Sequence, residues 1–324
     1  MSDAVVPDHT DQTASPARPS SSGWFRRAID SDLFYSFRRS KLTMLAAALT
    51  LLFFLLAIFA PLLSVQNPFD PAQLQLANSR YAPLWTADGQ SPFLLGTDEQ
   101  GRDVLSAILY GLRISLTVGV LGVLFSGVLG IALGLIAGYV GGAVDALIMR
   151  IADVQLTFPA ILIALLVNGV ALSVFGNRMD AMSMLGVLVL AIGLSFWVQY
   201  ARTVRGTVLV EKNKDYVAAA QLIGLPAPVI MLRHVLPNAM GPVLIIATIN
   251  LALAIITEAT LSFLGVGLPD TMPSLGTLIR IGNNYLFAGE WWIVAFPGIA
   301  LAALILSINL LGDWLRDALN PKLR

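Results

Sequence analysis

The chain has 324 residues, 56% hydrophobic and only 12% charged, against about 25% charged in an ordinary soluble domain. That balance points to an all-α protein that crosses a membrane several times. Net charge is zero, so no global field recruits nucleic acid or an acidic partner, and the absence of cysteine excludes disulfides, thiolate metal sites and cysteine nucleophiles.

Residues 1–23 (MSDAVVPDHTDQTASPARPSSSG) are polar, rich in Ser and Pro, and lack an apolar core. They read as a disordered cytoplasmic tail rather than a signal peptide. A span takes about 20 mostly apolar residues, and six runs qualify: 42–64, 114–139, 151–174, 184–205, 239–266 and 291–312. The expected organisation is a basic segment with the first span (24–64), an external loop with an amphipathic helix (65–113), a core of five spans (114–312) and a cytoplasmic tail (313–324).

With the N-terminus inside, fifteen Lys and Arg fall on the inner side and five on the outer. The positive-inside rule therefore predicts that both termini are cytoplasmic. In the outer loop, Thr97 followed three residues later by Gln100 has the pattern of a capping box. The pattern predicts the start of an external amphipathic helix ahead of the second span, placed either to meet a substrate-delivering protein or simply to lie in the interface.

In the second span Ser126, Gly130, Gly134, Gly138 and Gly142 recur every fourth residue. They form a smooth ridge for close helix packing, against the chain's own helices or against a separate subunit. Arg150 and Asp153, three apart at the inner end of the third span, are expected to pair on one helix face. Ser195 has no base in any span, since the two histidines are His9 and His234, so it is expected to pack helices and not to attack a substrate.

The stretch DYVAAAQLIGLPAPVIMLRHVLPN (215–238) is too polar to lie in lipid. Asp215 can cap a helix beginning at Tyr216, the run Ala218, Ala219, Ala220 favours helix with almost no side-chain bulk, and Gly224 suits a left-handed end. A second short helix over 228–234 is expected to break at Leu236 and Pro237 before the fifth span. A thin alanine face with Tyr216, Val217, Leu222 and Ile223 as apolar anchors suits a docking elbow over 213–235 better than a linker.

Glu258 is the clearest ionisable residue inside a span. It lies about 31 Å up the fifth helix from Pro237, either lining a translocation path or hydrated at the outer interface. No G-x-x-x-x-G-K-[ST] phosphate loop and no H-E-x-x-H motif occur. ATP binding of that kind and zinc protease chemistry are therefore not expected of this chain.

The spacing Ala218-Ala219-Ala220, Gly224, His234-Val235-Leu236-Pro237 resembles the E-A-A-x3-G-x9-I-x-L-P loop of membrane subunits in bacterial ATP-binding-cassette importers. Ala218 stands where that family usually has glutamate and His234 where it has isoleucine. LLGTDEQGRDVLSAILYGLRISL (94–116), MRIADVQLTFPAI (149–161), EATLSFLGVGLP (258–269) and LGDWLRDALNPKLR (311–324) are similar to the C-type permease subunit of dipeptide and oligopeptide importers.

The resemblance implies a type I importer permease fold in the bacterial inner membrane. It also implies a homologous B-type permease, two ATP-binding subunits and an extracytoplasmic peptide-binding protein as partners. ATP and magnesium would belong to the ATPases and no cofactor to this chain; Asp215, Tyr216, Ala218, Ala219, Ala220, Gly224, Leu236 and Pro237 would couple to them. Related permeases carry nickel, glutathione, sugars or antimicrobial peptides, the delivering protein selecting the cargo. An ion-driven carrier is the alternative from another class, although matched broken helices and buried midplane carboxylates are not evident.

Overall fold

The computed structural model describes residues 37–68, 70–175, 179–269 and 271–319. The tail expected over 1–23, Arg178 and the terminal residues 320–324 lie outside them. Among the described residues the architecture is helical, with two isolated β-bridges in the loop ahead of the second long helix. The main elements are α1 (Lys41–Ile58), α2 (Val104–Val140), α3 (Gly142–Leu156), α4 (Ala160–Phe175), α5 (Ala181–Glu211), α6 (Asp215–Leu222), α7 (Leu236–Phe263), α8 (Leu275–Asn283) and α9 (Trp292–Leu319).

Among the described residues five helices are long and apolar enough to cross a membrane: α1, α2, α5, the run Ala227–Phe263 that contains α7, and α9. A sixth crossing exists if the bent pair α3 and α4 counts as one span. The uninterrupted third span expected over 151–174 is thus corrected to two helices meeting at 96°. The cause is Pro159, which cannot donate to the preceding turn and forces Phe158 out of the helical region.

The second span also differs from its expected form. Instead of a separate amphipathic helix followed by a span from 114, α2 runs unbroken for 37 residues from Val104. Thr97 does not cap it. Its hydroxyl donates to the Asn78 carbonyl at 2.5 Å and accepts from the Tyr81 amide at 2.8 Å, closing the loop. The cap is Asp103, whose carboxylate accepts from the Ser106 amide at 2.8 Å and the Ser106 hydroxyl at 2.6 Å. Burial pushes the Asp103 carboxyl above the usual carboxylate range.

Helices α2 and α5 run parallel, and glycines set their separation. A Cβ at Gly122 would meet the Ile192 side chain at 2.9 Å, one at Gly134 the Ala201 carbonyl at 2.5 Å, and one at Gly138 the Val208 side chain at 2.7 Å. Gly130 is as tight, lying against the Trp197 carbonyl and Tyr200. The ridge is therefore an internal seam. It begins one step earlier than expected, at Gly122, and does not include Gly142, whose Cβ position is open.

Glu258 departs from both of its expected environments. It is fully buried, so it neither lines a surface of this subunit nor sits in an aqueous interface. The Ser115 hydroxyl of α2 donates to its Oε2 at 2.7 Å and the Ser262 hydroxyl to its Oε1 at 2.7 Å. The Leu275 amide, at the start of α8, donates to Ser115 Oγ at 3.3 Å. A carboxylate stripped of water is tolerable because both oxygens are satisfied, and it joins α2, α7 and α8. The small residue Gly276 lets α8 lie directly on the Ala259 backbone beside it.

The ionic contacts between helices also correct an expectation. Asp153 pairs with Arg202 of α5 rather than with Arg150, and Arg205 pairs with Asp145 of α3. Packing of α3 across α5 brings these partners closer than a one-turn neighbour.

Two outcomes follow from the seam and the buried carboxylate. Gly134→Leu should destabilise the detergent-purified chain by about 1–3 kcal/mol or more, seen as a lower Tm, while Gly206→Leu, where a Cβ meets nothing within 4 Å, should not. Glu258→Gln places a donor where one serine hydroxyl needs an acceptor and should cost about 1–3 kcal/mol, measured by the same thermal assay.

Candidate functional site

Residues 212–235 connect α5 to α7 at the bundle end where α2 finishes. The Lys212 ammonium donates to the Gly138 carbonyl at 2.9 Å, tying the last turn of α2 to the start of the connection. Helix α6 follows, and its cap is Lys214 in an extended conformation without a side-chain capping bond. Asp215 is the first residue inside the helix and not its cap as expected, so it acts through its negative charge at the helix N-terminus.

The alanine run divides between two environments. Val217 and Ala220 face inward and are buried among Leu135 of α2, Val204 and Val208 of α5, and Ile230 and Val243. Val217 is thus part of the core rather than an apolar anchor for a partner. Ala218 and Ala219 face outward, continuous with Leu222 and Ile223, which are 88% and 75% exposed. The exposed ledge is thin at the alanines and apolar at its end.

The ledge ends in a Schellman turn. Gly224 has φ +81°, its amide donates to the Gln221 carbonyl at 3.0 Å and the Leu225 amide to the Ala220 carbonyl at 3.1 Å. A Cβ at Gly224 would meet no atom of this chain within 4 Å, so the left-handed backbone and an open flank are what the glycine provides.

A polar knot holds α6 to the two long helices. The Tyr216 hydroxyl donates to Glu211 Oε2 at 2.6 Å, the Lys214 ammonium donates to Glu211 Oε1 at 2.7 Å, and Asn238 Nδ2 donates to Tyr216 Oη at 3.0 Å. Partial burial and the adjacent Glu211 carboxylate raise the Tyr216 hydroxyl above its usual pKa. Glu211 and Asn238 escaped the sequence reading because neither belongs to a motif; only the fold-back of α6 brings them to Tyr216.

The expected break at Leu236 and Pro237 is absent. A short helical turn over Ala227–Val229 passes into a π-helical segment, Ile230–Val235, and then directly into α7. The wider π turn accommodates the Pro237 ring, which otherwise clashes with the preceding turn. Leu236 is half-buried and Pro237 exposed beside the knot.

Among the described residues no cluster of three His, Asp or Glu side chains could hold a metal ion. Ser195 lies elsewhere, its hydroxyl shared between the carbonyls of Ala160 at 3.1 Å and Ala191 at 2.8 Å.

A family model described as binding-protein-dependent transport system inner membrane component matches residues 130–324, and one described as the N-terminal TM domain of oligopeptide transport permease C matches residues 31–83. The dipeptide transport system permease protein DppC of Haemophilus influenzae is 34% identical over 293 residues, covering 90% of this chain and 95% of the relative. The di/tripeptide transport system permease protein DppC of Pseudomonas aeruginosa is 36% identical, covering 90% and 92%. The oligopeptide transport system permease protein OppC of Bacillus subtilis is 35% identical, covering 90% of each. A chain from a solved structure of inward-facing conformations of the MetNI methionine ABC transporter has a TM-score of 0.51 at 18% identity, covering 66% of this chain and 96% of that one, a likeness of fold. With a family model spanning more than half its length and relatives matched almost end to end, this chain belongs to the binding-protein-dependent transport system inner membrane component family, as a multi-pass permease subunit of the inner membrane.

Proposed function

We propose that the chain is the C-type membrane-spanning subunit of an ATP-binding-cassette importer of dipeptides and oligopeptides. It forms half of the pathway with a homologous B-type permease, receives cargo from an extracytoplasmic binding protein, and is driven by two ATP-binding subunits that hold the ATP and magnesium. Six spans with both termini in the cytoplasm fit the fifteen-to-five asymmetry of basic residues, and put the 212–235 connection on the cytoplasmic side.

The observation that carries the coupling role is the exposed ledge of Ala218, Ala219, Leu222 and Ile223, mounted on the Glu211–Tyr216–Asn238 knot. The ledge enters a cleft of an ATPase subunit, and alanine in place of the family glutamate leaves the contact to backbone approach and apolar burial. When the ATPase dimer closes, displacement of α6 reaches α5 through Glu211, α7 through Asn238 and α2 through Lys212. These helices are bonded to the elbow and packed on one another, so they move as one body between two discrete arrangements. A stripe of uncovered apolar residues on α4, Leu162, Leu166, Val170 and Val174, suits the face that meets the second permease. Glu258 serves in this scheme as the group that positions α8, with the pathway walls supplied by other residues of α4, α5 and α7.

Gently purified from its native membrane, the chain should bring a second multispan permease and phosphate-loop ATPases with it. Gly224→Trp, which strains only the left-handed position by about 1–2 kcal/mol, should retain the permease, lose the ATPases and abolish uptake. Normal uptake by that variant would refute the docking role. Tyr216→Phe removes the hydroxyl shared by Glu211 and Asn238. It should leave ATPase binding largely intact but lower uptake per ATP hydrolysed several-fold, on the order of the ~1 kcal/mol carried by one such hydrogen bond.

A further inference from the structure

A groove of about 340 Å³ opens between α1 and α2, within the roughly 300–1,000 Å³ typical of small-molecule sites. Phe54 and Ile58 line one side, Leu116 and Leu121 the other, with Arg113 and Thr117 the polar groups on its wall. The two helices run antiparallel, since the Val65 amide just beyond α1 donates to Ser106 Oγ at the start of α2 at 3.0 Å. Arg113 is therefore at the end of the groove nearest the 64–103 loop, and the apolar walls descend from it toward the middle of the bundle.

The charge at that end is uncommitted. Arg113 is exposed, and among the described residues its guanidinium has no hydrogen bond or ion pair. Its height is informative as well. Arg113 lies roughly 40 Å along the helix from Val140, more than the ~30 Å thickness of the hydrocarbon core. A guanidinium there stands at headgroup level, while Leu121, about 12 Å further along α2, is among acyl chains.

We propose that this groove binds an anionic phospholipid, with its phosphate on the Arg113 guanidinium and one acyl chain lying between α1 and α2. A planar guanidinium grips a phosphate through two parallel hydrogen bonds, while the Thr117 hydroxyl one turn away donates to the Arg113 carbonyl at 2.7 Å. The cationic end and the apolar trough are matched by the two parts of a lipid, in the order that the bilayer presents them. A helix of a second subunit is a poorer occupant, because it is about 10–12 Å across with its side chains, whereas an acyl chain is one methylene wide.

The test uses the full chain in its assembled complex, stripped of lipid and then supplied with phosphatidylglycerol or phosphatidylcholine, bound lipid being counted by native mass spectrometry. The wild type should retain phosphatidylglycerol about fivefold better, the discrimination expected of one basic side chain near a membrane surface. Arg113→Gln should erase that preference, Arg113→Lys should keep most of it, and Leu121→Trp, which fills the trough without altering charge, should reduce binding of both lipids. A wild-type preference in Arg113→Gln would overturn the proposal. So would a benzophenone side chain at position 121 that crosslinks to a second permease instead of lipid. If Arg113→Gln does not assemble, unchanged phosphatidylglycerol loading in Leu121→Trp overturns it alone.

Discussion

Lipid tails are as apolar as leucine, so burying apolar side chains against one another gains little inside a bilayer, and helices adhere through close backbone approach and satisfied polar groups. The seam between α2 and α5 is the response of this chain to that constraint. Gly122, Gly130, Gly134 and Gly138 each remove a Cβ that would overlap the facing helix, so dispersion contacts form along much of the length of two parallel helices. The rest of the bundle is arranged on that pair. Helix α7 returns antiparallel across it, α3 and α4 fold over the outer side of α5, and the elbow hangs from the end where both helices finish.

At each end of the seam a carboxylate does what apolar packing cannot. Through Ser115, Glu258 joins α7 to α2 and to the start of α8, and Glu211 joins α5 to α6 and, through Tyr216, to α7. Unmet hydrogen-bonding capacity is expensive in a dry interior, so the Glu258 knot has few alternative arrangements. Low alternative multiplicity is what a subunit needs if displacement at one surface is to be felt elsewhere without dissipating in side-chain rearrangement.

The apolar runs could be read from the sequence because span hydrophobicity does not depend on knowing which helix faces which. Their ends could not. Helices α2 and α5 continue through polar residues outside the apolar core, and what decides where they start is a local cap at Asp103 or Asp180, competing with capping patterns such as Thr97 and Gln100. The bend at Pro159 was visible as a residue but was overridden by the continuity of apolar character on both sides. In the elbow, the left-handed Gly224 and a short alanine helix followed from local rules. The inward turn of Val217, the pairing of Asp153 with Arg202 and the knot at Tyr216 depend on residues that meet only after the chain has folded back, and no local rule contains them.

The π-helical segment at Ile230–Val235 has a mechanical consequence. By absorbing Pro237 without a break, it makes Ala227–Phe263 one continuous helical run of 37 residues, about 55 Å long and with Pro242 inside it, the elbow lying at one tip and the Glu258 region near the other. A run of that length held against the seam near its middle behaves as a lever arm: a tilt of a few degrees at the elbow reappears as a shift of an ångström or more in the opposite direction at the far tip. A kink at Pro237 would have turned the same push into local bending.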